Sequence, residues 1–458
     1  MGILDRLYGL GARVRDVLGF NSENRVPRPD EVKETEMRRK QQLWRNMYQG
    51  KAPWIRKRVR SLQIPALVAS EVSRLVTLDV VTKVEDSFLD EVFRREVMGN
   101  LRTQVEYGLA FGGLILKPYT RNKKLYVDFA QPDEFLILNA TKDGTILEIL
   151  FKDYQKVRQQ YYVRVEYHKW DNRSGAYCIS NRVYMSDEMG GVGLEMPNLE
   201  IVPEWSGMER DFELRNIAAP LFGYFKPALS NHIDTKSAEG VSIFSRGEDA
   251  IRRADEQLSG LLREFRVKEA KQYVNELAVK GSGPLPHLED DYYIKLRDGT
   301  SGFFETYSPQ IHSKEFLETL DEYKREVEMA VGLAFGTLSN PASVARTATE
   351  VRESKDRTAV LVSETQANLQ EAFEATVYAL SVWWKYPSKP QEYAVTTTWD
   401  ESLWVNRAAE AESMRLDVRE GYIKPIYYLM KKYGWTEEEA LERMPDGDDL
   451  LLLTHEGR

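Results

Sequence analysis

The sequence is poor in cysteine and histidine and has no long hydrophobic run. Its 458 residues include one cysteine, Cys178, so no intramolecular disulfide can form, and a reducing compartment such as the cytoplasm is expected. Cys178 falls in an alternating, strand-like run, where a buried structural thiol is favoured over a nucleophile. Because no stretch of about 18 apolar residues occurs, no membrane-spanning segment and no membrane partner are predicted.

Sequence motifs of common catalytic and metal sites are also missing. There is no phosphate-binding loop of the Gly-x-x-x-x-Gly-Lys-Ser/Thr type, and the five histidines lack the spacing of metal ligands. Three adjacent acids, Glu289, Asp290 and Asp291, would point in different directions on an extended chain, so a solvated turn is favoured over a cation site. We therefore expect a protein that is not an enzyme, with no catalytic residues, no metal and no cofactor.

The charge is negative overall and unevenly distributed. The formal net charge of -9 argues against a protein that grips duplex DNA tightly, because such binding depends on Lys and Arg. Residues 37–60 nevertheless contain nine Lys or Arg and no acid, interleaved with Trp44, Tyr48 and Trp54. A subunit contact or a solvated face is the favoured interpretation of this basic stretch, with a nucleic-acid site as the alternative. Residues 434–458 hold eight acids and are expected to be a solvated terminal segment.

Composition and periodicity indicate a folded protein of the α+β class, mainly α. Hydrophobic residues make up 42% and charged residues 29%, which excludes a mainly disordered chain, and the length favours two or more packing units. The glycines at 108, 112 and 113 precede a predicted antiparallel sheet, and tight turning is sufficient reason for them. The runs expected to form this sheet are rich in aromatic and β-branched residues: 114–118, 125–129, 146–152, 161–170 and 177–184.

The pattern after residue 245 predicts two helices joined by a small β insertion. Residues 246–271 and 313–334 each repeat apolar side chains at three and four positions between charged ones, as amphipathic helices do. Between them, residues 292–296 and 303–307 flank the turn at 297–299 and are expected to form a β-like insertion. The two helices can therefore pair as an antiparallel hairpin that carries a β tip.

A loop and a very long helix follow this hairpin. Residues 335–347 include Gly336, Asn340 and Pro341, which interrupt helicity. A helical pattern then continues from residue 348 to about residue 384, and those roughly 36 residues would extend about 54 Å. Prolines end this helix, a strand is expected at 393–398, and residues 401–444 return to helix with a break near Gly421.

Four further stretches of the sequence are informative: residues 105–113 (VEYGLAFGG), 164–170 (RVEYHKW), 219–226 (APLFGYFK) and 239–250 (EGVSIFSRGEDA). No single stretch is diagnostic, because none is the signature of a reaction, but the order of the parts extends over four hundred residues. These stretches and the order of the predicted parts resemble the portal protein family of tailed bacteriophages, particularly the branch common in phages of Gram-positive hosts.

The resemblance implies a portal fold with a wing, a stem, a clip and a short crown, assembled as a ring that is a dodecamer in this family. A long helix would radiate outward from the stem. On that plan the chain divides into an N-terminal wing at 1–245, stem helices at 246–271 and 313–334 on either side of a clip at 272–312, a tunnel loop at 335–347, the long helix at 348–386, and a C-terminal wing and crown at 387–458.

The resemblance also implies a function and a set of partners. The ring would be the conduit for double-stranded DNA at one capsid vertex, with the terminase large subunit docking during packaging and a head-tail adaptor protein afterwards. Major capsid and scaffolding proteins would surround it, in the virion and, during assembly, in the host cytoplasm. The implied DNA-facing residues of the tunnel loop are Asn340, Ser343 and Arg346, and the implied docking residues of the clip are Glu289, Asp290, Tyr292, Lys295, Arg297 and Asp298.

Two other interpretations remain open at this point. The loop residues could instead cap the long helix and pack between subunits. The chain as a whole could be another head or adaptor protein, or a nucleic-acid enzyme that binds through residues 37–60, although no catalytic constellation is visible for the latter.

Overall fold

A computed structural model describes most of the chain, which forms two compact units. The larger unit comprises the described residues up to Thr77 and from Thr82 to Thr397, and the smaller one comprises Leu78–Val81 with the described residues after Thr398. Only the backbone is described for residues 267, 271–275, 293–296, 304–307, 348–354, 407–412 and 431. The described residues are 26–31, 35–188, 190–267, 271–275, 293–296, 304–307, 310, 312–341, 348–388, 391–399, 407–433 and 435–443.

Four helices form the first part of the larger unit. Two of them begin at side-chain caps: the hydroxyl of Thr35 accepts a hydrogen bond from the backbone N–H of Arg38, and the carboxylate of Asp86 accepts from two backbone N–H groups. The bounds are α1 Glu36–Tyr48, α2 Ile64–Val76, α3 Ser87–Glu96 and α4 Leu101–Phe111, with strand β1 at Val81–Val84.

The next strands form two antiparallel sheets, so the prediction of a single sheet is wrong. A three-stranded sheet has the order β10-β2-β3, and a six-stranded sheet has the order β4-β5-β6-β7-β8, with β9 also paired to β7. Strand β10 was not predicted; it pairs with β2 although about a hundred residues separate them. The strands are β2 Leu114–Arg121, β3 Lys124–Ala130, β4 Phe135–Ala140, β5 Ile146–Val157, β6 Gln160–Asp171, β7 Ala176–Ser186, β8 Leu194–Met196, β9 Asp211–Leu214 and β10 Gly223–Phe225.

Close packing, more than turning, explains the glycines before the sheet. Gly112 ends α4 with a φ of 92°, but Gly108 lies within the helix. A Cβ atom at Gly108 would lie 3.0 Å from a ring carbon of Phe225 on β10, and one at Gly113 would lie 2.9 Å from the ring of Tyr224. The turning explanation is therefore wrong for Gly108, which lets the helix approach β10 closely.

The long predicted helix is present and packs across the larger unit. Helix α7 at Ala348–Lys385 ends one residue beyond the predicted end. The amide of Gln366 donates to the carbonyl of Val76 on α2 (3.2 Å), and the Phe373 ring meets Phe93 of α3 edge-on at 5.1 Å. A Cβ atom at Gly223 of β10 would lie 2.1 Å from the Ala372 carbonyl oxygen, so α7 and the three-stranded sheet are in close backbone contact.

The remaining described elements also follow the predicted pattern. Strand β14 at Val395–Thr398 pairs with β1. The described residues of the smaller unit form three helices, with the predicted break near Gly421: α8 Arg407–Arg419, α9 Pro425–Tyr433 and α10 Glu437–Arg443. No helix among the described residues is long and apolar enough to cross a membrane. Cys178 on β7 is half-buried rather than fully buried, which corrects that expectation.

A buried charge cluster joins the two sheets. Glu166 on β6 accepts from the ammonium of Lys117 on β2 (2.8 Å), the guanidinium of Arg164 (2.7 Å) and the imidazole of His168 (2.7 Å). Burial alone would raise the pKa of Glu166, but the two cations hold it well below its usual range. Burial lowers the pKa of His168, whose other ring nitrogen lies 2.8 Å from the Tyr177 hydroxyl. The cluster therefore favours neutral His168 beside an ionised carboxylate.

The stability of the fold should decline in mild acid because of His168. A histidine with a lowered folded-state pKa binds more protons when unfolded, so stability is lost as pH falls below the ordinary value of 6.5. One such group contributes at most about 1.4 kcal/mol per pH unit. Urea unfolding between about pH 7 and pH 5 should show this slope, and His168→Gln should reduce it. An equal slope in the variant would contradict the assignment.

Candidate functional site

The predicted helical hairpin is present in the larger unit. Helix α5 at Glu248–Val267 and helix α6 at Ser313–Val331 are antiparallel. Near one end Arg253 lies 3.8 Å from Glu326, and near the other end the backbone N–H of His312 donates to Glu264 (3.1 Å). Apolar side chains of the hairpin near the first end are buried, including Ala254 and Val327. The hairpin is therefore packed firmly at the end that joins the rest of the unit.

Apolar side chains at the other end of the hairpin remain uncovered. Leu262 and Phe265 of α5 are 37% and 43% exposed, and Leu317 of α6 is 53% exposed. Their spacing along the helices is the amphipathic one predicted from the sequence, yet more than a third of each side chain remains exposed. A cluster of this kind is typical of a surface that contacts another protein.

Three strands lie between the two helices in the chain, and their pairing differs from the predicted hairpin. Strand β11 at Lys271–Asn275 is central: it pairs in parallel with β12 at Tyr293–Leu296 and antiparallel with β13 at Phe304–Tyr307. The expected pairing of the two later runs across a turn is wrong, because β11 lies between them. Only its first residue fell in the predicted helix, which ended at residue 271, and no strand was predicted at 272–275, so the central strand of this sheet was missed.

The opposite face of α5 binds the basic stretch of residues 37–60. The carboxylate of Glu248 accepts from the indole N–H of Trp44 and from the ammonium of Lys40, both at 2.6 Å. Farther along the helix, Asp255 accepts from the indole N–H of Trp54 (2.9 Å). The two Trp side chains of this stretch therefore pack within the chain itself, an intramolecular contact that the interpretation from the sequence did not include.

Asp255 is the central acceptor of this contact. Its carboxylate is 2% exposed and also accepts from the backbone N–H of Leu62 at 2.7 Å. Burial raises the pKa of Asp255, while the hydrogen bonds from Trp54 and Leu62 oppose that rise. The hydroxyl of Ser259, one turn later, accepts from the backbone N–H of Arg60 (3.0 Å). Two successive turns of α5 thus hold the end of the basic stretch.

A buried carboxylate on α6 holds the start of the loop at 335–341. Glu328 is fully buried, and its oxygens accept from the backbone N–H groups of Gly336 (3.1 Å) and Ser339 (2.9 Å) and from the Ser339 hydroxyl (2.8 Å). The backbone N–H of Leu338 donates to the same carboxylate. Gly336 has a φ of +90°, which lets the chain turn sharply around the carboxylate.

Two further contacts fix the ends of this loop. The backbone N–H of Ala334 donates to the hydroxyl of Thr358 on α7 at 2.7 Å. The backbone N–H of Asn340 donates to Asp321 on α6 at 2.6 Å, and Asp321 also pairs with Arg325 at 3.1 Å. The described part of the loop is therefore attached to both helices that it connects.

The structure describes few of the site residues predicted from the sequence. Asn340 is exposed at the end of the anchored loop, and Lys295 lies on β12. Glu328 and Asp321 were not predicted from the sequence. An acid on an amphipathic helix is expected to be solvated until the N–H and O–H donors around it are located in the structure. The other predicted positions lie outside the described residues: Ser343, Arg346, Glu289, Asp290, Tyr292, Arg297 and Asp298.

No arrangement typical of a metal centre was found among the described residues. No group of three or more His, Cys, Asp or Glu side chains there is placed to hold a metal ion. The acids at 289–291 lie outside the described residues. The described site consists of structural elements: a packed hairpin, a sheet between its helices and a loop anchored on a buried acid.

Comparison with known proteins identifies the family. Residues 67–448 match the family model described as "Phage portal protein, SPP1 Gp6-like". The match spans most of the chain, including both sheets, the hairpin and the long helix, so the chain belongs to this phage portal family. It is a family of structural proteins.

A search of solved structures and a search of curated proteins complete the comparison. Among the solved structures, one chain of the "Neck of native GTA particle computed with C12 symmetry" is similar at 12% sequence identity and a TM-score of 0.42. The similarity covers 85% of this chain and 90% of that one. The search of curated proteins found no significant match.

Removing the Glu328 carboxylate should destabilise the larger unit. Glu328→Ala leaves several backbone donors without their acceptor, and we expect the free energy of unfolding to fall by about 2–4 kcal/mol. The matched control is Glu326→Ala on the same helix, whose side chain is about half exposed, and there we expect a change within about 0.5 kcal/mol. Urea denaturation would compare the two. Similar losses in both variants would contradict the anchoring role.

Proposed function

We propose that this portal protein forms a ring that serves as the DNA conduit at one vertex of the virion capsid. Membership of the phage portal family carries the proposal. In the described structure, a helical hairpin leads to a small sheet and is followed by an anchored loop and a helix of 38 residues. These parts occur in the order that the portal plan requires.

The portal plan assigns a place to each part. Helices α5 and α6 would be the stem, residues 272–312 the clip and residues 335–347 the tunnel loop. Helix α7 would extend outward from the stem, with the two sheets in the wing and residues 387–458 returning to the wing and crown. The antiparallel packing of α5 on α6 supports the stem assignment, because a stem must enter and leave the clip along the same path.

Uncovered apolar side chains on the hairpin support assembly. Leu262, Phe265 and Leu317 would be buried by the stems of neighbouring copies, which would stabilise a closed ring through the hydrophobic effect. The proposed number of copies is twelve, which is the number that the resemblance to the family implies.

The tunnel loop would face the DNA. Its base is tied to Glu328 and Asp321, which would fix where the loop begins in the ring. Asn340, Ser343 and Arg346 would offer few and weak backbone contacts, and a negatively charged protein would not hold the duplex against sliding.

The clip would dock the packaging and tail machinery. We propose that the terminase large subunit binds there while DNA is packaged, and that a head-tail adaptor protein replaces it before DNA leaves on ejection. The polar positions at 289, 290, 292, 295, 297 and 298 are the proposed contacts. Major capsid and scaffolding proteins would contact the wing during assembly in the host cytoplasm.

Ring assembly can be tested on the exposed hairpin residues. Negative-stain images with mass measurement should show closed rings of about a dozen copies for the parent chain, and Leu317→Glu should reduce them because it buries a charge between stems. The control is Leu194→Glu, at another exposed leucine, on β8. A parent that forms only small closed oligomers without a channel would contradict the proposal, and rings unaffected by Leu317→Glu would contradict the stem contact.

The clip assignment has a separate test. Deletion of residues 281–307 should leave the helical and sheet signals of the remaining chain intact and abolish binding of the terminase large subunit in a pull-down. The hairpin is packed at the end away from this segment, which is the reason to expect folding without it. Retained terminase binding by a folded deletion variant would show that the motor docks elsewhere.

A further inference from the structure

Five basic side chains between residues 51 and 60 are exposed and lack counter-charges. No acid occurs in this segment, and none of the five forms an ion pair with any residue that the structure describes. This distinguishes them from Lys40 and Arg45 earlier in the basic stretch, which are paired with Glu248 and Asp133. The five are Lys51, Arg56, Lys57, Arg58 and Arg60.

The backbone that carries these cations is held in place. Asp255 and Ser259 of α5 bind it through the indole N–H of Trp54, the backbone N–H of Arg60 and the backbone N–H of Leu62, two residues beyond the segment. Turns within the segment add two hydrogen bonds, from the N–H of residue 55 to the carbonyl of residue 52 (2.8 Å) and from the N–H of residue 59 to the carbonyl of residue 56 (2.9 Å). The cations therefore project from a defined surface.

One more cation extends this surface along α5. Arg263 is exposed, has no ion pair with a described residue, and lies four residues after Ser259, which is about one helical turn. Lys51, Arg56, Lys57, Arg58, Arg60 and Arg263 are called the basic surface below.

Like charges that are close neighbours in the chain, as Arg56, Lys57, Arg58 and Arg60 are, repel one another, and none of the four is in an ion pair with a described residue. The repulsion among these cations decreases when an external anion with closely spaced charges approaches. Duplex DNA, with one phosphate charge per about 1.7 Å of axis, is the anion that best matches closely spaced cations. The net charge of -9 makes such a local excess of cations more selective for a polyanion, because the remaining surface repels it.

We infer that the basic surface contacts the phosphate backbone of duplex DNA. The inference rests on the proposed DNA conduit and adds to it a contact outside the tunnel loop. Phosphate contacts carry no sequence register, so they allow the duplex to slide while they keep it close. The aromatic side chains of the stretch pack on α5 of the same chain, and the exposed cations remain accessible to DNA.

Salt-dependent DNA binding tests this inference directly. Fluorescence anisotropy of a labelled duplex of about 30 base pairs would be measured with the full chain between about 50 and 200 mM NaCl. The variant replaces Arg56, Lys57, Arg58 and Arg60 by Gln. Each lost phosphate contact should reduce the slope of log K against log salt by about 1, so we expect the slope to fall by about 3–4 and the affinity at low salt at least tenfold.

A charge-matched control separates this surface from general electrostatics. It replaces four other exposed cations by Gln, so its net charge equals that of the first Gln variant. The four replaced residues are Arg121, Lys123, Lys124 and Lys142. Its slope should stay within about 1 of the parent value. A second variant, Arg56→Lys with Arg58→Lys and Arg60→Lys, keeps the charges and should bind with the parent slope.

Each outcome decides for or against the contact. No DNA binding by the parent, or equal losses in the Gln variant and its control, would overturn the inference, and parent-like DNA binding by the Gln variant would point to an acidic protein as the partner instead. The mass of each sample is measured in parallel. Rings that form normally while DNA binding fails this test would overturn the inference alone, whereas absence of rings in the parent would count against the proposed conduit.

Discussion

Helix α5 has three faces with different surroundings, and the geometry of the candidate site depends on this arrangement. One face packs on α6, a second binds Trp44 and Trp54 through Glu248 and Asp255, and the third remains exposed. A helix that is amphipathic in the simple sense would bury one stripe only. Here the second contact is polar, and it works because each buried carboxylate meets an N–H donor of matching geometry.

Buried acids recur as anchors throughout the larger unit. Glu166 joins two sheets through cations, Asp255 holds a loop on a helix, and Glu328 collects the backbone donors of another loop. In each case the carboxylate is removed from water, which is costly, and the cost is offset by several short hydrogen bonds. Such contacts favour one arrangement of the chain over its alternatives. A conduit that must hold its shape while DNA passes would depend on this rigidity.

The proposed ring would use surfaces that a single chain leaves unfinished. Leu262, Phe265 and Leu317 are apolar but exposed, and the basic surface is charged but unpaired. The first kind of surface favours contact with other copies, and the second favours contact with a polyanion. The folding of one chain alone explains neither surface. Both therefore bear on how the copies assemble and on what the assembled ring contacts.

Local spacing in the sequence was sufficient to predict the main helices and their order. The spacing of apolar residues predicted α5, α6 and the long α7, because helical periodicity is a property of neighbouring residues. Tertiary structure decided what periodicity cannot encode. It divided the strands into two sheets, placed β11 between β12 and β13, and brought Glu328 to the loop at 335–341. These pairings join residues that are distant in the chain or that follow no helical or strand periodicity. Their hydrogen-bond donors and acceptors therefore come within reach only in the folded chain.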